Sequence, residues 1–192
     1  MLDKSIPYYN VIMKRASNLE INDCELPTGF SNVFFDEGDE KAWSAIETSV
    51  GEFDSEEEAL SYFKKEYIPH IDELKRRSIF IQNHDGEKVA TFTAWWNYTC
   101  GRYVPSVHWV GVKPEFQGLG IGRAITIKGL GLMKLIDSDK DIFIHTQTWS
   151  YRAIGIYLKC GFEIIKDEAF GTYQNDYEKA MPILREKINF KF

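Results

Sequence analysis

Seven consecutive residues, Gln117, Gly118, Leu119, Gly120, Ile121, Gly122 and Arg123, hold three glycines between an apolar strand pattern and an apolar helix pattern. A strand that passes through such a loop into a helix leaves backbone N–H groups unpaired at the positive end of the helix dipole, where an anion is stabilised. The glycines clear Cβ atoms from the approach, Gln117 adds an amide donor and Arg123 adds charge. The chemistry implied is the holding of a phosphate-bearing ligand. Two nucleotide loops fail on spacing. A Walker A loop needs Lys and then Ser or Thr after its last glycine, and a dinucleotide fingerprint needs its third glycine where Arg123 stands. Upstream, Gly111 interrupts an apolar strand, which marks a bulge or a close backbone approach.

The residues on either side of the loop narrow the ligand. His108-Trp-Val-Gly-Val-Lys-Pro-Glu-Phe116 followed by Gln117, Gly120 and Gly122 resembles motif A of the GNAT acyltransferase superfamily, in which Gln or Arg, two residues, Gly, one residue, and Gly or Ala follow one another. About thirty residues on, Ser150, Ala153, Tyr157, Gly161 and Phe162 resemble motif B of the same family, which usually opens with Asn; Ser150 is the departure. The resemblance spans Ser78 to Phe162. It implies acetyl transfer from acetyl-CoA to a primary amine by direct attack in a ternary complex, with no covalent enzyme intermediate; separately, the scattered histidines lack metal-ligand spacing, so no metal is expected.

In that setting Gln117, Gly118, Leu119, Gly120, Ile121, Gly122 and Arg123 hold the pyrophosphate of coenzyme A. The backbones of Val110, Gly111 and Val112 pair with its pantetheine arm, and Ser150, Ile154 and Tyr157 line the thioester side. The family assigns the motif B tyrosine, here Tyr157, the role of general acid. A phenol of pKa about 10 keeps its proton at neutral pH and can donate to a thiolate whose conjugate acid lies near 8.5. The base that takes the amine proton is chosen among His108, His145, Glu47 and Glu52; His108 comes first, because it shares strand parity with Val110 and Val112. The aromatic residues Trp95, Trp96, Tyr98, Tyr103 and Trp109 are read either as core or as the wall of an acceptor cleft. The acceptor is a small amine or else a peptide or protein amine. The alternative reading is a non-catalytic acyl-CoA-binding sensor or scaffold module, which would keep the loop but need no acid.

The elements that must position these residues follow from pattern and punctuation. Tyr8 to Arg15 reads as a first strand and Phe30 to Phe35 as an extended segment. Asp39 caps a helix to Val50, and Ser55 with Glu58 forms a capping box for a helix that Pro69 stops. A short helix from His70 to Arg77 leads to a hairpin, Ile79 to Gln82 and Lys88 to Trp96, turning at Asp85-Gly86. Ser106 to Val112 is the strand before the glycine loop. The helix from Gly122 to Ile136 draws its apolar spacing from Ala124, Ile125, Ile127, Leu132, Leu135 and Ile136, with Gly129 and Gly131 read as close packing against a sheet. Asp141 to Thr146 is a strand, Ser150 caps the next helix, Gly161 ends it, and Phe162 to Lys166 is a strand. Asn175 to Ile188 is helical despite Pro182, and a final strand near Phe170 to Tyr173 stays open. The order gives an α+β (mixed α/β) fold, a central twisted, mostly antiparallel sheet with a splayed strand pair and flanking helices, in one domain over residues 1–192.

Composition fits this frame. A chain of 192 residues with 44% hydrophobic and 15% aromatic residues can bury a sizeable core. The net charge of −6 gives no basic face for nucleic acid, and no apolar run suits a membrane span or signal peptide, so a soluble cytoplasmic protein is expected. Cys24, Cys100 and Cys160, three in number and widely spaced, read as reduced and structural. A homodimer is left open.

Overall fold

The computed structural model describes residues 2–189. In chain order the elements are β1 (Asn10–Arg15), β2 (Phe30–Phe34), α1 (Glu40–Val50), α2 (Glu56–Glu66), α3 (Ile71–Arg77), β3 (Ser78–Asn83), β4 (Lys88–Thr99), β5 (Arg102–Val112), α4 (Ile121–Asp137), β6 (Ile142–Gln147), α5 (Tyr151–Lys159), β7 (Glu163–Ile164) and α6 (Tyr177–Lys187). The mixed sheet has the order β2-β3-β4-β5-β6-β1-β7. The chain divides into two compact units, one from Asn22–Ala94 and His108–Leu132, the other from Leu2–Ile21, Trp95–Val107 and Met133 onward.

In the first unit β2 pairs antiparallel with β3, and β3 antiparallel with β4 through a register shift between Ile81 and Gln82. Helix α1 buries Trp43, Ile46, Glu47 and Val50, the i, i+3, i+4, i+7 positions of one face. A carboxylic acid thus sits in a stripe otherwise made of core residues. Helix α2 starts as its sequence predicts: the Ser55 side chain accepts from the Glu58 N–H at 3.2 Å. The return bond of the box goes one residue astray, from Asp54 N–H to the Glu58 carboxylate at 3.3 Å. Asp39 begins α1 but makes no cap bond; its carboxylate accepts from Asp36 N–H and pairs with Lys88 at 2.5 Å. Gly129 behaves as expected, since a Cβ there would lie 2.3 Å from Phe92, but Gly131 has open space around it.

In the second unit β1 pairs antiparallel with β6 over Asn10–Arg15 and Ile142–Gln147 and with β7 at Met13 and Lys14. Strand β5 pairs parallel with β6 at Ser106↔Phe143 and Val107↔Ile144. Strands β4 and β5 are joined at Cys100 and Gly101, both left-handed (φ 50° and 76°), the signature of a type I′ turn. Cys100 is therefore an exposed turn residue and not a structural one. The strand expected from Phe162 to Lys166 shrinks to Glu163–Ile164, and Phe170 to Tyr173 forms one bridge rather than a strand. Leu135, assigned to the apolar face of α4, is 85% exposed. Among the described residues no helix is long and apolar enough to cross a membrane.

Candidate active site

The glycine loop lies in the first unit. After Val112 the chain makes a 3-10 turn over Pro114–Phe116, and Gln117 resumes an extended backbone. Gln117 Nε2 donates to the Val112 carbonyl at 2.8 Å, so one of its two amide hydrogens closes the turn. Gly118 and Gly120 are left-handed (φ 80° and 87°), exposed, and have no heavy atom within 4 Å of a Cβ position. L-residues other than glycine reach this backbone only at about 1–2 kcal/mol. Ile121, 1% exposed, anchors the start of α4, and Ala124 N–H bonds the Gly120 carbonyl at 3.1 Å. The N–H groups of Ile121, Gly122 and Arg123 precede that bond and have no carbonyl within the helix to accept them. With the exposed Arg123 they set N–H donors and a positive charge at the mouth of a 17-residue helix, the kind of place where an anion is stabilised.

The strand entering the loop carries the second feature. Trp109 is left-handed (φ 48°), a conformation that a bulky residue holds only at a cost. The irregularity expected of Gly111 thus falls two residues earlier. Gly111 serves the close approach: a Cβ on it would stand 2.7 Å from Glu47 Oε1 and 2.8 Å from Ile46 Cγ2. Helix α1 therefore rests on the bare backbone of β5, with the Glu47 carboxyl against it. Glu47 is 1% exposed, and burial, reinforced by the Glu52 carboxylate, pushes its carboxyl well above 4.5. Among the described residues Glu47 Oε1 and Trp43 Nε1 have no hydrogen-bond partner.

Around this acid lies an aromatic cluster. The Trp109 ring is 5.5 Å from Trp43 and 5.2 Å from both Phe53 and Tyr62, and Phe53 and Tyr62 are 5.5 Å apart. Trp43 and Tyr67 are buried; Phe53, Tyr62 and Trp109 are half-buried. Tyr67 OH lies 3.2 Å from His108 Nδ1. Burial raises the Tyr67 phenol well above 10, Tyr62, Glu47 and Glu66 add to this, and a hydrogen bond with Trp109 opposes it. One ring nitrogen of His108, the base favoured by the sequence, is thus engaged by a buried phenol.

The motif B residues belong to the second unit. Ser150 is the last residue of a 3-10 turn, Thr148–Ser150, and stands at the N-cap position of α5, but its side chain makes no cap bond, which corrects its expected capping role. The turn is held instead by the N-terminal segment. Thr148 Oγ1 donates to the Pro7 carbonyl at 2.5 Å, Trp149 Nε1 to the Ile6 carbonyl at 2.7 Å, and Thr148 N–H to the Tyr9 carbonyl at 3.0 Å. Ile154 and Tyr157 are buried, and the Tyr157 ring meets Phe162 edge-on at 6.0 Å. At the other end of α5 the buried Arg15 donates to the Cys160 carbonyl at 2.9 Å and the Glu20 carbonyl at 2.7 Å, a cation at a helix C-terminus. His145 is a poor base: burial lowers its pKa to about 4, and it stacks on Tyr173 at 3.6 Å.

The sequence profile of the Acetyltransferase (GNAT) family matches residues 41–162, taking in α1, the β5 irregularity, the glycine loop and α5. The chain belongs to this family. It is 26% identical over 163 residues to a mycothiol acetyltransferase of Paenarthrobacter aurescens, covering 77% of this chain and 46% of that protein. It is 34% identical over 68 residues to a mycothiol acetyltransferase of Saccharomonospora viridis, covering 35% and 22%. Among solved structures, a GCN5-related N-acetyltransferase from Sphaerobacter thermophilus superposes with a TM-score of 0.62 at 20% identity, over 83% of this chain and 50% of that one. The chain thus spans about half the length, or less, of these relatives. The GNAT fold is the expected one, and the family uses acetyl-CoA as donor.

What the sequence missed is the company Trp109 keeps. The sequence groups it with Trp95, Trp96, Tyr98 and Tyr103, whereas its ring packs with Trp43, Phe53 and Tyr62. The spacing Trp43, Ile46, Glu47, Val50 is the signal that places Glu47 beside it.

Proposed function

We propose that residues 1–192 work as one acyltransferase domain that moves an acetyl group from acetyl-CoA to a primary amine by direct attack in a ternary complex. The observation that carries this reading is the cradle from Gln117 to Arg123, with Gly118 and Gly120 in open left-handed conformations before α4. Family membership and the names of the curated relatives, both acetyltransferases, support it. In this reading the cradle holds the pyrophosphate, the backbones of Val110, Gly111 and Val112 pair with the pantetheine arm, and Ser150, Ile154 and Tyr157 serve the thioester end. Tyr157 protonates the departing thiolate. The base role expected of His108 fits less well, since its Nδ1 already faces Tyr67.

The test is coenzyme A binding by calorimetry together with free-thiol release from acetyl-CoA across a panel of amines. Tyr157→Phe is expected to lower turnover by about 10²–10⁴-fold, the usual contribution of a general acid, with coenzyme A affinity kept. Unchanged turnover removes the role assigned to Tyr157, and coenzyme A binding without turnover on any amine turns the reading towards a sensor module.

A further inference from the structure

Helix α5 is held at both ends by residues 3–15. At its far end the buried Arg15, the last residue of β1, donates to the Cys160 carbonyl. At its start, residues 3–9 close on Thr148 and Trp149, just ahead of the N-cap position. We propose that Thr148 and Trp149 are positioning residues for the acyl donor: with residues 3–9 they form a latch that fixes where α5 begins, and through it where Tyr157 stands against the thioester arm. The proposal rests on the acyl-transfer reading for the place it gives Tyr157.

The chain passes from β6 into α5 by letting a side chain stand in for the backbone. Strands β1 and β6 pair as far as Asn10↔Gln147, and Tyr9 and Thr148 come next on the antiparallel ladder. In a hydrogen-bonded pair of this kind each residue donates its N–H to the other's carbonyl. Thr148 N–H does donate to the Tyr9 carbonyl at 3.0 Å, but the Thr148 carbonyl has turned to accept from Tyr151 N–H. Its hydroxyl takes the vacated place, accepting from Tyr9 N–H at 3.0 Å and passing its own proton to the Pro7 carbonyl at 2.5 Å. One fully buried side chain thus ends the ladder and frees a carbonyl to open the helical turn. Trp149 completes the latch. Its Nε1 donates to the Ile6 carbonyl at 2.7 Å, its carbonyl accepts from Asp3 N–H at 3.0 Å, and its ring meets Tyr8 edge-on at 5.0 Å with Lys4 Nζ 5.6 Å from its centroid. Residues 3–9 form no helix or strand, so the entropy lost in ordering them is offset by these contacts.

A displacement at this turn grows along α5. Tyr157 lies six residues beyond Tyr151, about 9 Å along the axis at about 1.5 Å per residue, so a tilt of about 10° at the turn moves it by about 1.5 Å. Misplacing a reacting group by about 1 Å can cost about 10²-fold in rate. Opening the latch therefore harms the use of the donor's arm and thioester, while the nucleotide end, which the acyl-transfer reading gives to residues 117–123, keeps its hold. Coupling of this kind is reciprocal: a donor that binds better to the closed latch must close the latch by the same factor.

The probes are acetyl-CoA and 3′-phosphoadenosine 5′-diphosphate, which is its nucleotide end without the arm, titrated by calorimetry into the native protein and its variants. The native protein is expected to bind acetyl-CoA more tightly by about tenfold or more. Thr148→Val keeps the shape and removes both bonds of the hydroxyl; it is expected to cut that advantage to about threefold or less, with affinity for the shorter probe kept, and Thr148→Ser to restore it. Trp149→Phe is expected to act in the same direction as Thr148→Val. On the native protein acetyl-CoA is expected to slow hydrogen exchange at the Tyr9 and Thr148 amides more than the shorter probe does. An advantage that survives in folded Thr148→Val overturns the latch, as does a loss of both probes together. Equal exchange under the two probes also overturns it, and this measurement decides if the variants do not fold. A native protein that binds neither probe overturns the acyl-transfer reading and the latch with it, whereas one that binds both without this coupling overturns the latch alone.

Discussion

Replacing Gly129 by alanine sets a methyl carbon 2.3 Å from one Phe92 ring carbon and 2.4 Å from two others, more than 1 Å inside ordinary contact. Phe92 is fully buried on β4 opposite Ile79, so the ring has no free space into which to retreat. Overpacking of this kind costs about 1–3 kcal/mol, and three ring atoms struck together place this site near the top of that range. Alanine returns about 1 kcal/mol of helix propensity, leaving a net loss of about 2 kcal/mol. Gly131, two residues on in the same helix, has nothing within 4 Å of its Cβ position, so the same substitution there should gain about 1 kcal/mol. For a chain of this size 1 kcal/mol moves Tm by about 2–4 °C. Gly129→Ala is therefore expected to lower Tm by about 4–8 °C and Gly131→Ala to raise it by about 2–4 °C, with urea titrations checking that the slopes match. Phe92→Leu should recover part of the Gly129→Ala loss, a coupling a double-mutant cycle measures. If both alanines shift Tm the same way, helix propensity rather than the fit of α4 to β4 governs this helix, and the account of Gly129 is wrong.

Gly118→Ala and Gly120→Ala should each cost about 1–2 kcal/mol of strain in the loop and weaken coenzyme A binding in calorimetry, with Gly131→Ala as the unaffected control. Glu47 binds a proton in the folded state that it has lost when unfolded, so native stability should fall as pH rises from about 4.5 through its raised value, by up to about 1.4 kcal/mol per pH unit. Thermal scans of Glu47→Gln across pH 5–9 should lack that decline, and a parallel curve would show that Glu47 is ionised in the folded protein. Arg15→Met should cost about 2–3 kcal/mol in urea denaturation by removing a charged donor from the Cys160 and Glu20 carbonyls, and a neutral result would mean that α5 is held by other contacts.

The parts that could be read from sequence are those whose cause is local. The glycine loop needs left-handed residues at Gly118 and Gly120, the Asp85-Gly86 turn has the common hairpin dipeptide, and Ser55 meets its partner three residues on. The start of β5 could not be read, because a type I′ turn at Cys100-Gly101 lacks the usual Asn or Asp and because Pro105 lies inside the strand. Ser150 failed as a cap for a tertiary reason. Its turn is held by the carbonyls of Ile6, Pro7 and Tyr9, some 140 residues away in sequence. Strand parity favours His108, and parity gives no warning of a buried Tyr67 hydroxyl beside it.

Trp109 sets backbone strain against packing at one residue. A left-handed backbone at a tryptophan costs about 1–3 kcal/mol, which glycine would return. Glycine would also lose the ring that meets Trp43, Phe53 and Tyr62, and truncating a large aromatic in such packing costs up to about 3–5 kcal/mol. The contacts outweigh the strain, so the irregular step in β5 is the local penalty for holding α1 and α2 against that strand, and Trp109→Gly should melt at a lower temperature than the native chain.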